Sequence, residues 1–317
     1  MRCTFLLLTI ASLAWGKTDV VAATGEVLDD FAAGRANVNT AINRVKRLGG
    51  EEYASLELVA AYKRAGDQER VHVLEFLAGL AFRNKEVEQT FMRALTHKDT
   101  AEIVAAEIGL GRIKSTDALK PLTENLSSQN FGIRREAARA LGLIGKPAAS
   151  APLLKAAKSE GDFELKLLMI QSAGRAGDKK QVGALEALFK DDSESTRIAA
   201  AQALCIMGTP SCAKFATTLL SSKEQSERLQ GVMLFDGSSA KQAGKVLAPA
   251  LRDADPRVRA RAARLLAEGG DESKKAWLVI ESAKAPTETK LIYEDEIEHL
   301  RLTDEQRSAI LKKAGLK

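Results

Sequence analysis

Aromatic residues are scarce in this chain: Trp, Tyr and Phe together make up 5% of its 317 residues. Strands and base-stacking surfaces both draw on aromatics, so the scarcity argues against a sheet-rich fold and against a nucleic-acid platform. It suits helices packed through small side chains. Histidine is rarer still. His72, His97 and His299 fall in different parts of the chain. None is spaced with cysteines or carboxylates as a ligand set, so no metal is expected. No Gly-x-Ser-x-Gly elbow, phosphate loop or dinucleotide fingerprint occurs, so no catalytic residue and no cofactor are expected either. Only one long apolar run exists, residues 3–15, preceded by Arg2 and closing on Ala14-Trp15-Gly16, which puts small residues, Ala14 and Gly16, at the −3 and −1 positions of a cleavage site. It falls short of the roughly 20 residues that span a bilayer. It reads as a signal peptide over residues 1–23, cut near 16 or near 23. The mature chain would then be exported, periplasmic in a bacterium and otherwise secreted, with no membrane span. Export also separates it from nucleic acid. The charge balance, 47 basic against 42 acidic residues, gives a net +5. That is mild, and it favours acidic partners.

What the chain does have is a period. Residues 130–145 read Asn-Phe-Gly-Ile-Arg-Arg-Glu-Ala-Ala-Arg-Ala-Leu-Gly-Leu-Ile-Gly. Asn130 can cap a helix, Ile133, Ala137, Ala140, Leu141 and Ile144 form one apolar stripe, and Gly145 ends it. The same sentence returns at Asp255 and, with drift, at Asp162 and Ser193. A basic residue marks the register: Arg70, Arg134, Lys166, Arg197, Arg228 and Arg259, with Ile103 breaking the series. The steps are 33, 31, 32, 31, 31 and 31 residues. Four residues upstream of each stand Gly66, Asp99, Asn130, Asp162, Ser193, Glu224 and Asp255. A constant period is the mark of a solenoid, in which no unit buries its apolar face alone.

These residues resemble the short HEAT-like repeat of the phycobilin-lyase type, which runs roughly Asp-x-x-Val-Arg-x-x-Ala-Ala-x-Ala-Leu-Gly-x-Ile-Gly. Residues 130–145 and 255–270 match it closely. The resemblance implies an all-α, right-handed α-solenoid superhelix of about seven HEAT-like helical hairpins with helical caps. It does not name an activity, because such repeats serve enzymes, scaffolds and adaptors alike. Some HEAT-repeat hydroxylases carry His-Glu pairs for iron, and no His-Glu dipeptide occurs here.

The expected organisation is a helical N-terminal cap at 24–66, repeats at 67–285 and a helical C-terminal cap at 286–317. In the latter, Thr303 and Gln306 form a capping box. The acidic cluster Glu294, Asp295, Glu296 and Glu298 reads as a solvated helix face. Arg257, Arg261 and Arg264 read as an exposed row. The basic ladder reads as structural, each cation reaching a capping carboxylate or backbone of a neighbouring repeat. Cys205 and Cys212 face each other across a short turn, and a disulfide is expected between them. The second helix of each repeat is expected to line the concave face. Lys120, Lys214 and Lys245 would form a basic strip there, flanked by Lys155, Lys241, Lys274 and Lys275, for a protein or acidic peptide. The resulting expectation is an exported, non-catalytic protein-binding scaffold. The alternative is an enzyme, or an accessory subunit, of the phycobilin-lyase HEAT-like kind. Oligomeric state is not legible.

Overall fold

The computed structural model describes residues 17–237 and 240–316. Every regular element among them is a helix. They form two compact units, one ending at Ala176 and the other beginning at Gly177.

The N-terminal unit opens with α1 (Lys17–Ala32), α2 (Val38–Leu48) and α3 (Glu51–Arg64). It continues with α4 (Asp67–Leu80), α5 (Lys85–Ala94), α6 (Thr100–Arg112), α7 (Leu119–Asn125), α8 (Phe131–Ile144), α9 (Ser150–Ser159) and α10 (Phe163–Ala176). The C-terminal unit holds α11 (Val182–Ala187), α12 (Glu194–Ile206), α13 (Pro210–Leu220), α14 (Gln225–Met233) and α15 (Ala240–Leu247). After these come α16 (Pro256–Glu268), α17 (Glu272–Lys284), α18 (Thr287–His299) and α19 (Asp304–Lys313). The apolar run 3–15 lies outside the described residues. Of the two cleavage points, the one near 23 falls inside α1, just before the buried Thr24, Val27 and Leu28.

The seven register positions all fall in the first turn of a helix: α4, α6, α8, α10, α12, α14 and α16. Their caps follow from side-chain chemistry. Asn130 Oδ1 accepts from the Gly132 and Ile133 N–H groups at 2.8 and 3.3 Å. Asp99, Asp162, Ser193 and Asp255 do the same for their helices. Glu224 makes no such bond, and Gly66 has no side chain to make one. Instead Glu69 reaches back to the Gly66 N–H at 3.3 Å. Gly145 ends α8 at φ +65°, a left-handed conformation that glycine takes without strain, and its N–H bonds Leu141 O.

Packing shifts the frame of the repeat by one helix. Each register helix packs on the helix before it, the shorter of the two in five hairpins of seven: α3 on α4, α5 on α6, α7 on α8, α9 on α10, α11 on α12, α13 on α14 and α15 on α16. These are the seven hairpins, and the boundary at Gly177 falls between two of them. Proline fits the short helices because it sits near their starts, where a missing N–H costs no bond. Pro121 and Pro152 each occupy the third position, in α7 and α9. Pro249 does not continue α15, which stops at Leu247; it opens a 3-10 turn over Pro249–Arg252.

Burial separates the two helix types. α8 buries Ile133, Glu136, Ala137, Ala138, Ala140, Leu141, Gly142 and Ile144, because α6, α7 and α10 cover it on three sides. The short helices bury one narrow stripe: Leu122 in α7, Cys212 and Ala216 in α13. Cys205 and Cys212 are disulfide-bonded, with Cα atoms 4.9 Å apart, tying the end of α12 to the start of α13.

Candidate functional site: the register-helix faces

In the N-terminal unit the register helices form one continuous layer, α4 on α6, α6 on α8 and α8 on α10. Glycine permits the approach. A Cβ on Gly111 would stand 2.8 Å from Ala140 Cα, and one on Gly142 would stand 2.8 Å from Ser172 Oγ. Lys120 is exposed on α7, in the other layer of this unit. In the C-terminal unit Lys214 and Lys245 are exposed on α13 and α15. Lys274 and Lys275 are tied to Asp271 and Glu272. Lys155 is exposed, and the Lys241 side chain lies outside what is described.

Grooves lie on the register helices. One of about 370 Å³ lies across α2, α4 and α6, against Ile42, Glu75, Ile108 and Arg112. Another of about 310 Å³ lies between α8 and α10, against Phe131, Arg135, Arg139, Glu164 and Leu168. Phe131 and Phe163 begin their helices and are 41% and 44% exposed, unusual for aromatics in a chain with so few. The Arg135 guanidinium lies 5.6 Å from the Phe131 ring centre. In the C-terminal unit a groove of about 550 Å³ opens between α12 and α14, lined by Ile198, Gln225, Leu229, Gln230, Met233 and Arg257. A fourth, more apolar pocket of about 520 Å³ lies in the N-terminal cap against Phe31, Val38, Arg64, His72 and Val73.

The ladder residues make a repeated contact. Arg134 Nη1 donates to the carbonyls of Ser128 and Gln129, and its Nε and Nη2 reach Glu160 at 2.8 and 3.2 Å. Arg228 does likewise with the Ser222 and Lys223 carbonyls and with Asp253. Arg197 donates to the Asp191 and Asp192 carbonyls. Arg259 donates to those of Asp253 and Ala254, and to the Tyr293 hydroxyl. Each guanidinium thus closes the turn of its own hairpin, and Arg134 and Arg228 also grip the turn of the next. The arginine beside each carboxylate holds Glu160 and Asp253 below their usual range.

Two charged groups depart from the sequence reading. Arg264 is not on an exposed row. It is buried, and it bonds Glu296, Glu268 and Asp236 at 2.6, 2.5 and 2.6 Å. Glu296, in the cluster read as solvated, is buried beneath it and also pairs with Arg261 at 3.0 Å. Sequence periodicity missed this because Arg264 sits on the flank of α16 that α18 covers, and α18 lies beyond the repeats. In the N-terminal unit Glu107 is fully buried and accepts from Asn125 Nδ2 at 2.8 Å. Burial pushes its carboxyl up to about 8, against the Asn125 hydrogen bond. Glu102 is also fully buried. Its Oε2 accepts from the Tyr62 hydroxyl at 2.8 Å, while Oε1 stands 3.2 Å from His97 Nδ1. Burial, then the bond to Glu102, raises Tyr62 to about 12.

Comparison with known proteins fits this architecture. The HEAT repeats family matches residues 102–167 and 150–235. A "Phycobilisome maturation protein" of Synechococcus elongatus is 31% identical over 148 residues, 47% of this chain and 65% of that protein's length. The chain therefore spans just under two thirds of that relative. Among solved structures, the complex of CpcE and CpcF of phycocyanin lyase from Nostoc sp. PCC7120 superposes with a TM-score of 0.52 at 14% identity, covering 78% of this chain and 94% of that one. An engineered protein aligns over 95% of this chain and 92% of its own, with a TM-score of 0.41 and 18% identity. The relative overturns the expectation of a protein-binding scaffold and favours the alternative, an enzyme or accessory subunit of the phycobilin-lyase HEAT-like kind: the protein 31% identical over 148 residues is a maturation protein.

Proposed function

We propose that this chain of HEAT repeats is an accessory subunit of a maturation enzyme of the phycocyanin-lyase kind, one that holds a protein client or a catalytic partner. The observation that carries the reading is the 31% identity to a phycobilisome maturation protein. The geometry is in keeping with it. The grooves are open, and exposed Phe131 with Arg134 and Arg135 against its ring, together with exposed Phe163, offers the aromatic and Arg anchors that protein interfaces favour. Among the described residues no helix is long and apolar enough to cross a membrane.

The test is co-expression with a lyase partner subunit and an apo client subunit, followed by co-purification and a bilin-attachment assay. The expected result is a stable complex, with attachment that requires this chain. Phe131→Asp with Phe163→Asp should weaken capture about tenfold or more, as hot-spot loss does. Absence of any complex with either component, or attachment that proceeds equally well without the chain, overturns the proposal. The triple charge reversal Lys120→Glu, Lys214→Glu, Lys245→Glu separates this site from the lysine strip. If it abolishes capture at low salt while the Phe pair does not, the partner docks on the short helices.

A further inference from the structure

The first and second register helices meet around a group of side chains, Asp67, His97 and Glu102, that has no counterpart among the described residues. Three positions after the cap, three sister helices have a buried apolar residue: Ile133 in α8, Leu165 in α10, Val258 in α16. In α6 that slot holds Glu102, with no solvent exposure. A carboxylate in an apolar slot needs a compensating charge or hydrogen bonds to both oxygens. Oε2 has the Tyr62 hydroxyl. Oε1 has no hydrogen-bond partner. The next position along, where other repeats carry the arginine or lysine of the ladder, is Ile103, so no guanidinium of α6 can close the turn 97–99. His97 folds into that turn instead. Its Nδ1 is 3.2 Å from Glu102 Oε1 and 3.3 Å from the Asp99 N–H, and its Nε2 is 3.5 Å from Arg70 Nη1. Asp67, in the first turn of α4, completes the group. One ligand atom each from Asp67, His97 and Glu102 lies within 4.8 Å of the others.

The geometry points to a divalent transition-metal site formed by Asp67, His97 and Glu102 at the seam of α4 and α6. One imidazole nitrogen and two carboxylates form a borderline-to-hard donor set suited to zinc or manganese. The Tyr62 hydroxyl orients Glu102 through its other oxygen, as outer-shell partners of metal ligands do. Arg70, the other cation nearby, stands on the Nε2 side of the imidazole and 3.6 Å from Asp67. A metal ion entering on the Nδ1 side displaces only the long contact from the Asp99 N–H. It then supplies the positive charge that arginine supplies at later turns, and it joins two consecutive hairpins through their first turns.

The test uses the full chain, stripped with EDTA and titrated with Zn²⁺ against a chromophoric chelator, with thermal unfolding followed in parallel. The expected result is one Zn²⁺ per chain and a midpoint raised by Zn²⁺ but not by Mg²⁺. Asp67→Asn and His97→Ala should each weaken binding about tenfold or more. Asp67 is exposed, so Asp67→Asn should leave the metal-free midpoint unchanged. His299→Ala, at an exposed histidine in the C-terminal unit, should bind as the parent does. Glu102→Gln should lose the site; if it does not fold, Asp67→Asn and His97→Ala still decide. The site is refuted if the parent shows no saturable Zn²⁺ binding, or if stoichiometry and affinity are unchanged in both of those variants.

Discussion

The two units close the space between register helices by different means. In the N-terminal unit the contacts are made of small groups. Gly111 lies against Ala140 and Gly142 against Ser172, close enough that a methyl has no room. In the C-terminal unit α12 and α14 stand apart around a groove, and charge does the joining. Arg264 is buried among Glu296, Glu268 and Asp236, whereas the Arg228–Asp253 pair only repeats Arg134–Glu160 of the other unit. Both solutions come from one repeat, and they fail differently. Steric contact is sensitive to volume. Buried ion pairing is sensitive to the loss of one partner.

The largest effect is expected where a buried charge would lose its partner. Arg264→Ala leaves Glu296 buried with only Arg261 and should cost about 3–5 kcal/mol in denaturant unfolding. The loss of hydrogen-exchange protection should concentrate in α16 and α18. Loss of protection in α6 and α8 instead would show that the two units do not differ in this way. Gly111→Ala should cost about 1–3 kcal/mol, since the new methyl meets backbone that cannot swing aside. A more gradual effect, spread over several pH units, follows from Glu107. Its carboxyl sits at about 8 in the folded chain against about 4.3 when unfolded, so the folded state holds the extra proton between those values. Stability then falls as pH rises through that window, by at most about 1.4 kcal/mol per unit. Glu107→Gln, which keeps an acceptor for Asn125, should flatten the slope measured by urea unfolding from pH 5 to pH 8. The smallest effect carries the opposite sign. A Cβ on Gly244 in α15 meets nothing within 4 Å, so Gly244→Ala should stabilise by about 0.5–1 kcal/mol.

Much of the architecture was legible because caps and period are local chemistry. Asn130, Asp255 and their equivalents bond the N–H groups just ahead of them, and no distant residue is needed to see it. Which layer approaches most closely was not legible. An Ala-rich stripe looks the same whether it faces a partner helix or its own hairpin mate, and only the packing of α6, α8 and α10 on one another decides. The charged exceptions were hidden for a related reason. Glu102 shares its column of the repeat with Glu69 and Glu227, so a carboxylate there does not stand out by position. Asp67 lies 35 residues upstream and in another column, one residue after its cap where Glu102 is three after. Only the packing of α4 on α6 brings the two together. The groove between α12 and α14 leaves a faint trace at most, since Glu224 in its lining is the one acidic register cap that makes no side-chain capping bond.

The arginine contacts carry a consequence for how such a chain can change its length. Arg134 reads two carbonyls five and six residues behind it and a carboxylate 26 residues ahead; Arg228 reads the same two carbonyls and a carboxylate 25 ahead. Both reaches are local to one period and neither refers to the ends of the array. A whole period can therefore be duplicated or excised in frame beside either arginine, and its guanidinium still finds a turn behind it and a turn ahead. An insertion of a few residues in the intervening helix moves the carboxylate out of reach and leaves the carbonyls in place. At these two joints the contact works as a ruler that tolerates whole lengths and rejects fractions.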